Sequence, residues 1–325
     1  MYEKDRITVC RHHGRNLFHQ RSMETGTVDQ GDDYSGHVVS TVVRKTSPCS
    51  SGTAVLYIHG FNDYFFQKEL GDSVTAHCMD FYAVDLRKYG RSLLPGQRHC
   101  EARDIREYYA DIDSALAMMR QDSVDRVVLM GHSTGGLITS SYMADEPDSM
   151  VSALILNSPF LDWNLGKWTE RAVPLVAAAG KLFPDMSISQ GGSTAYSESL
   201  LRGDHGEWSY DTDWKEVHSP DVTAGWIRAI DNAQQKLQSG RSRIHVPILL
   251  MHSDKSVHGS EWNPEFQKGD AVLDVAEISE YGRKLGPDIT EATVYDGLHD
   301  LILSAPGVRK AVYRSMFNWL NRKLQ

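Results

Sequence analysis

The chain runs to 325 residues, 41% hydrophobic and 24% charged, with a formal net charge of -9; this is the balance of a globular chain long enough for one main domain and a sizeable insertion. The excess of acid excludes the clustered positive charge that binds a phosphate backbone, so no nucleic-acid partner is expected. No uncharged apolar run reaches about 18 residues, and the charged start Met1-Tyr2-Glu3-Lys4-Asp5-Arg6 has no signal-peptide core, so a cytoplasmic setting without membrane insertion is expected.

Residues 33–45 alternate and are rich in valine, as an antiparallel strand pair would be. Ser47-Pro48-Cys49-Ser50-Ser51-Gly52 reads as a turn. Beyond it, short β-branched runs at 53–59, 79–85, 126–132, 152–157, 246–252 and 290–295 are separated by longer helical patterns. That alternation predicts an α/β chain with a mainly parallel central sheet and helices on both faces. Within 101–120, Ile105, Tyr109, Ile112, Leu116 and Met119 recur at three- and four-residue spacing, a helical stripe that core packing explains. Helices are also predicted over 134–145, ahead of Pro147, and over 308–320.

From 158 to 243 the rhythm breaks. The segment carries Trp163, Trp168, Trp208, Trp214 and Trp226, a Gly191-Gly192-Ser193 patch and short helical patterns. Lying between two sheet strands, it reads as a helical lid over their carboxyl ends, where open α/β sheets bind ligands. The core is then 1–157 together with 244–325. Within the lid, 173–183 is the most apolar stretch; packing of a lid helix is the favoured use, with an acyl-binding wall or transient lipid contact as the other. The four cysteines, Cys10, Cys49, Cys78 and Cys100, lie far apart without a Cys-x-x-Cys pair and are expected as free thiols.

Chemistry concentrates where the run Val127-Val128-Leu129-Met130 ends in Gly131-His132-Ser133-Thr134-Gly135 and passes into a helix. A serine hydroxyl is a weak nucleophile, and a sharp strand-to-helix turn exposes it to a base. Gly131 and Gly135 fit because the flanking positions leave little room for a Cβ. Among fourteen histidines, His299 follows the last predicted strand and precedes the final helix, which puts its imidazole on a loop at the catalytic edge. Two aspartates qualify by position as the partner of that imidazole: Asp254, directly after the run 248–251, and Asp270, which begins a run leading into a helix.

With these motifs in order, the chain resembles an α/β-hydrolase of the monoacylglycerol-lipase or serine-aminopeptidase-like (lysophospholipase) group, over roughly 50–160 and 245–325. The resemblance implies an Asp-x-apolar-apolar-Asp stretch about thirty residues before the histidine, which Asp270 to Asp274 match, so Asp270 is favoured over Asp254. It also covers His59-Gly60-Phe61, and implies an oxyanion hole built from the backbone N–H groups of Phe61 and Thr134. Asp85-Leu86-Arg87-Lys88-Tyr89-Gly90-Arg91-Ser92 resembles a family turn in which Lys88 and Tyr89 stand where Gly-His is usual; it reads as a structural turn with a buried arginine pairing.

His12-His13 and His252 with His258 lack the spacing of a metal site, and Gly131 to Gly136 lacks the Lys-Ser/Thr of a phosphate loop. No cofactor and no metal are expected. The resemblance implies a serine hydrolase acting on esters with an apolar acyl part, such as monoacylglycerols, lysophospholipids or small esters, with Ser133, Asp270 and His299 as triad. An aminopeptidase or amidase is the alternative, and would need lid carboxylates such as Glu170, Glu198, Glu207 or Asp211 to hold an ammonium group. A non-catalytic binding module is the third reading, disfavoured because serine and histidine are both kept. The oligomeric state is left open.

Overall fold

A computed structural model describes residues 22–165, 171–241 and 243–324. The strands are β1 (Glu24–Asp33), β2 (Gly36–Lys45), β3 (Thr53–Ile58), β4 (Asp80–Asp85), β5 (Arg126–His132), β6 (Val151–Asn157), β7 (Ser187–Ile188), β8 (Val222–Thr223), β9 (Ile248–Ser253) and β10 (Ile289–Val294). The α-helices are α1 (Lys68–Ala76), α2 (Tyr109–Gln121), α3 (Thr134–Asp145), α4 (Val173–Ala179), α5 (Ala195–Leu200), α6 (Ala224–Gln238), α7 (Val275–Gly282) and α8 (Pro306–Lys323).

Eight strands form one sheet in the order β1-β2-β4-β3-β5-β6-β9-β10. From β4 to β10 all neighbours run parallel, while β1–β2 and β2–β4 are antiparallel. Alternation along each strand feeds two cores. Ala54, Leu56 and Ile58 of β3 join Ile112, Leu116 and Met119 of α2 and Leu137 of α3 on one face. Val55 and Tyr57 join Leu70 and Val74 of α1 and Val312 and Met316 of α8 on the other. Burial on both faces is why these strands read as continuous apolar runs.

Six expected parallel strands and the three long helices are found to within a few residues. The first hairpin differs, since it begins at Glu24 and β1 is the polar run ETGTVDQGDD at the sheet edge. Edge strands are kept polar because an unpaired apolar edge invites association, and that polarity hid β1 from a pattern search. The helix expected over 101–120 starts with a 3-10 turn, Ile105–Tyr108, capped by Asp104. Among the described residues of 158–243, strand pairing is limited to the two-residue antiparallel β7–β8 and an isolated parallel bridge between Leu201 and Trp208.

The chain leaves β3 for β4 on one side and then crosses to β5 on the other, so the crevice between the carboxyl ends of β3 and β5 is the topological switch point. The turn after β4 anchors this end. Arg87 donates to Asp111 of α2 at 2.8 Å with the carboxylate fully buried. Lys88, with none of its side chain exposed, lies 2.7 Å from Asp33 and 3.3 Å from Glu101. The buried arginine pairing expected of this turn is therefore present.

Two of the cysteines correct an expectation. Cys49 is bonded to Cys78, with Cα atoms 4.9 Å apart. The pair has no sequence motif; it forms because β3, α1 and the turn into β4 bring the chain back beside its own start, where Ser51 N–H donates to the Cys78 carbonyl at 2.9 Å. Cys100 is a free, buried thiol, its pKa pushed up by burial, and Cys10 lies outside the described residues. Closing a loop of sequence separation 29 restricts the unfolded chain by about 3–4 kcal/mol. The double variant Cys49→Ser/Cys78→Ser should lose about that much in urea unfolding; unchanged stability would contradict the bond.

Candidate active site

The turn that carries Ser133 is built by steric exclusion. A Cβ on Gly131 would lie 2.4 Å from the Gly135 carbonyl oxygen, and one on Gly135 would lie 2.3 Å from that of His59. Strand β5 and helix α3 therefore close on each other and on the end of β3 more tightly than any other residue allows. Between them Ser133 is forced to φ 52° and ψ -119°, a region that costs a non-glycine residue about 1–3 kcal/mol. The surroundings hold it there: Ser133 N–H donates to the Asn157 carbonyl at 3.0 Å, and the Ser133 carbonyl accepts from Gly136 at 2.8 Å and Phe160 at 3.0 Å.

His299 sits on the loop between β10 and α8, 3% exposed. Its Nδ1 is 2.9 Å from Asp270 Oδ2, and that carboxylate is fully buried. Asp270 Oδ1 accepts from the N–H groups of Val272 and Leu273, both at 2.8 Å, so the whole carboxylate is matched to donors. A proton on Nδ1 then leaves Nε2 as the basic atom. Asp254 is half-buried and accepts instead from the Asp296 N–H at 2.9 Å, which fixes the turn after β10. Of the two candidate acids, only Asp270 touches the imidazole.

The serine and histidine share one end of the sheet. The ring of His132, the residue before Ser133, is centred 4.9 Å from that of His299, and the Tyr196 ring lies 5.7 Å from His299 on another side. Among the described residues Ser133 Oγ and His299 Nε2 are not hydrogen-bonded in this state; such contacts commonly tighten only with substrate bound.

At the end of β3, a Cβ on Gly60 would sit 3.1 Å from Ser133 Cβ, so the following peptide, that of Phe61, borders the elbow. His59 is a support: its Nε2 accepts from Leu86 N–H at 3.0 Å, its Nδ1 is 2.8 Å from the Gly60 carbonyl, and burial holds its pKa down. Thr134 opens α3, and the first N–H groups of a helix have no intrahelical acceptor. Phe61 thus follows the Gly60 that packs on Ser133, and Thr134 follows Ser133 directly in the chain.

Sequence reasoning missed a layer of buried polar side chains beneath these groups. Asn157 Nδ2 donates to Asp300 Oδ1 at 2.7 Å, and Asn157 Oδ1 accepts from Leu301 N–H at 3.2 Å. One residue therefore ties the serine amide to the histidine loop. Gln67 also donates to Asp300, at 3.3 Å. Asp63 lies 3.7 Å from His132 Nδ1 and accepts from Lys215 Nζ at 3.0 Å. Asp63, His132 and Asp300 bring three potential ligand atoms within 4.8 Å of one another, but the Lys215 ammonium already supplies a cation to Asp63. Only Asp300, next to His299, carried a positional signal.

Other candidates are used elsewhere. His252 Nε2 is 2.9 Å from Glu291 at the sheet edge and His258 is exposed, while His12, His13, Trp168 and Glu170 lie outside the described residues. Glu207 pairs with Arg309 at 2.5 Å, Glu198 accepts from Thr194, and Asp211 accepts from the Asp213 N–H at 2.9 Å. The described tryptophans of 158–243 divide between packing on Phe61 (Trp226, rings 4.9 Å apart), on Tyr64 (Trp214, 5.2 Å) and on Phe66 (Trp208, 6.1 Å); Trp163 packs on Trp226 at 6.1 Å.

A mostly parallel sheet with a serine elbow at its switch point defines an α/β-hydrolase. Residues 50–259 match the family described as serine aminopeptidase, S33, and the chain belongs to that family. Its fold is shared by a soluble variant of monoglyceride lipase from Saccharomyces cerevisiae solved with a substrate analog, at TM-score 0.66 and 16% identity over 94% of this chain and 99% of that one. The monoacylglycerol lipase of Paleococcus ferrophilus matches at TM-score 0.59 and 18% identity over 91% and 98%. Est1E from Butyrivibrio proteoclasticus, solved with ferulic acid, matches at TM-score 0.55 and 12% identity over 88% and 96%.

If Asp270 orients the imidazole, Asp270→Asn should lower kcat by about 10⁴-fold, because an amide favours the wrong tautomer, whereas Asp254→Asn should stay within a few fold. Steady-state kinetics on both variants check this, and the reverse ranking would refute the assignment.

Proposed function

We propose that the protein is a cofactor-independent serine hydrolase of carboxylic esters with an apolar acyl group, with Ser133, His299 and Asp270 as its triad. The observation that carries this reading is the Asp270–His299 hydrogen bond of 2.9 Å at the same sheet end as the Ser133 elbow. Ser133 Oγ attacks the ester carbonyl as His299 Nε2 takes its proton, and the tetrahedral oxygen accepts from the Phe61 and Thr134 N–H groups. The imidazolium, held by Asp270, returns the proton to the departing alcohol. Water then attacks the acyl-enzyme by the same route, releasing the acid and restoring Ser133.

The segment 158–243 acts in this reading as the lid, set between β6 and β9. Its aromatic wall of Trp163, Trp226 and Phe160 beside Phe61 suits an acyl chain such as that of a monoacylglycerol, a lysophospholipid or a small ester. Packing explains only part of the apolar stretch 173–183, because Val173 and Ala177 are buried while Leu175, Leu182 and Phe183 are 73%, 74% and 65% exposed. That outward face suits transient contact with a lipid interface. Among the described residues no helix is long and apolar enough to cross a membrane. The Cys49–Cys78 bond weighs against the cytoplasmic setting read from the N-terminus, since cytosolic reductants keep such pairs open.

An aminopeptidase would need a free carboxylate near the serine. Glu198, Glu207 and Asp211 are engaged with Thr194, Arg309 and Asp213, which favours the ester reading. Turnover of p-nitrophenyl butyrate should exceed that of an aminoacyl-naphthylamide by orders of magnitude and vanish in Ser133→Ala with the fold retained. Dominant amide turnover, or substantial ester turnover in Ser133→Ala, would overturn the proposal. In a series from acetate to palmitate, chain-length preference should shift to longer acyl groups in Trp226→Ala, because loss of the indole opens the wall beside Phe61; an unchanged profile would take Trp226 off the acyl path.

A further inference from the structure

Resting on the reading of Ser133 as nucleophile and Phe61 N–H as oxyanion donor, we infer that Asn62 and Lys215 are positioning residues that latch the oxyanion loop to the insert. Asn62 follows Phe61 directly and has φ 47°, a left-handed conformation that an asparagine tolerates when its amide is held locally. Its amide is held by the backbone of the insert: Asn62 Nδ2 donates to the Glu216 carbonyl at 2.8 Å, and Glu216 N–H donates to Asn62 Oδ1 at 2.8 Å. This reciprocal pair mimics a rung of β-sheet between segments 154 residues apart. One residue on, Asp63 Oδ1 accepts from Lys215 Nζ at 3.0 Å, with side chains 1% and 8% exposed. A third tie follows, since Asp211 N–H donates to Tyr64 Oη at 2.8 Å and the Tyr64 and Trp214 rings meet at 5.2 Å.

Residues 62, 63 and 64 are thus each fastened to 211–216, and the peptide between Gly60 and Asn62 has its β3 side fixed by the strand and its far side by the insert. Burial alone would raise the Asp63 carboxyl; the Lys215 ammonium, helped by His132, holds it below the usual carboxylate range, so the carboxylate stays ionised at neutral pH. Segment 211–216 is therefore held to the loop that follows β3 at three successive positions. Small displacements matter here, because an oxyanion donor acts only when aimed at the tetrahedral oxygen.

Asn62→Gly isolates the latch, since glycine adopts φ 47° without strain and lacks the amide. With kcat normalised to fluorophosphonate-titratable sites, the variant should lose at least tenfold in kcat at near-constant KM. Affinity for an alkylboronic acid, which mimics the tetrahedral intermediate, should fall in step. Asn62→Asp, which keeps the acceptor and loses the donor, should lie between the two, and serves alone if the glycine variant does not fold. A kcat within twofold of wild type in whichever variant folds, or a kcat loss without loss of boronate affinity, overturns the latch. Wild-type protein without turnover or labelling would instead remove the serine-hydrolase reading, and the latch with it.

Discussion

The constraint on which this end of the sheet depends is the absence of room at the β5–α3 turn. Backbone oxygens of His59 and Gly135 stand where a Cβ of residues 135 and 131 would go, so strand, helix and neighbouring strand meet at contact distance and Ser133 is held between them at φ 52°. Everything else at this end of the sheet is arranged around that fixed point. The Asn157 carbonyl holds the serine amide, Gly60 lets the β3 loop pass beside the serine, and the β10 loop carries His299 to the same rim.

Steric closure would be useless without charge control, because the same packing buries carboxylates. Burying one unmatched costs several kcal/mol. The structure answers each differently: Asp270 receives two backbone N–H groups and the imidazole, Asp300 receives Asn157 and Gln67, and Asp63 receives a lysine from the insert. The first arrangement orients the His299 imidazole, the second fixes its loop, and the third fastens the loop after β3 to the insert. Three acids within one small region thus serve separate mechanical ends.

What could be read from the sequence follows from which forces are local. Buried strands show as apolar runs, and the Gly131-x-Ser133-x-Gly135 spacing is dictated by contacts within one turn, so β3 to β6, α3 and the serine were legible. His299 was legible from its place after a strand, and Asp270 only through family resemblance, since Asp254 is equally well placed by position alone. Pairings across the chain left no trace. Cys49 and Cys78 meet only because α1 folds back, and Lys215 meets Asp63 across 152 positions; neither has a periodicity to detect. The polar β1 was missed because its sequence answers to solvent at an edge rather than to a core.

The proposed reaction depends on His299, oriented by Asp270, making Ser133 the nucleophile. Mapping the adduct of a fluorophosphonate by mass spectrometry, with its rate compared in wild type and His299→Ala, addresses it most directly. One adduct per chain is expected on Ser133, formed at least a hundredfold more slowly without the imidazole. An adduct on another residue, or equal rates in the two proteins, would contradict it.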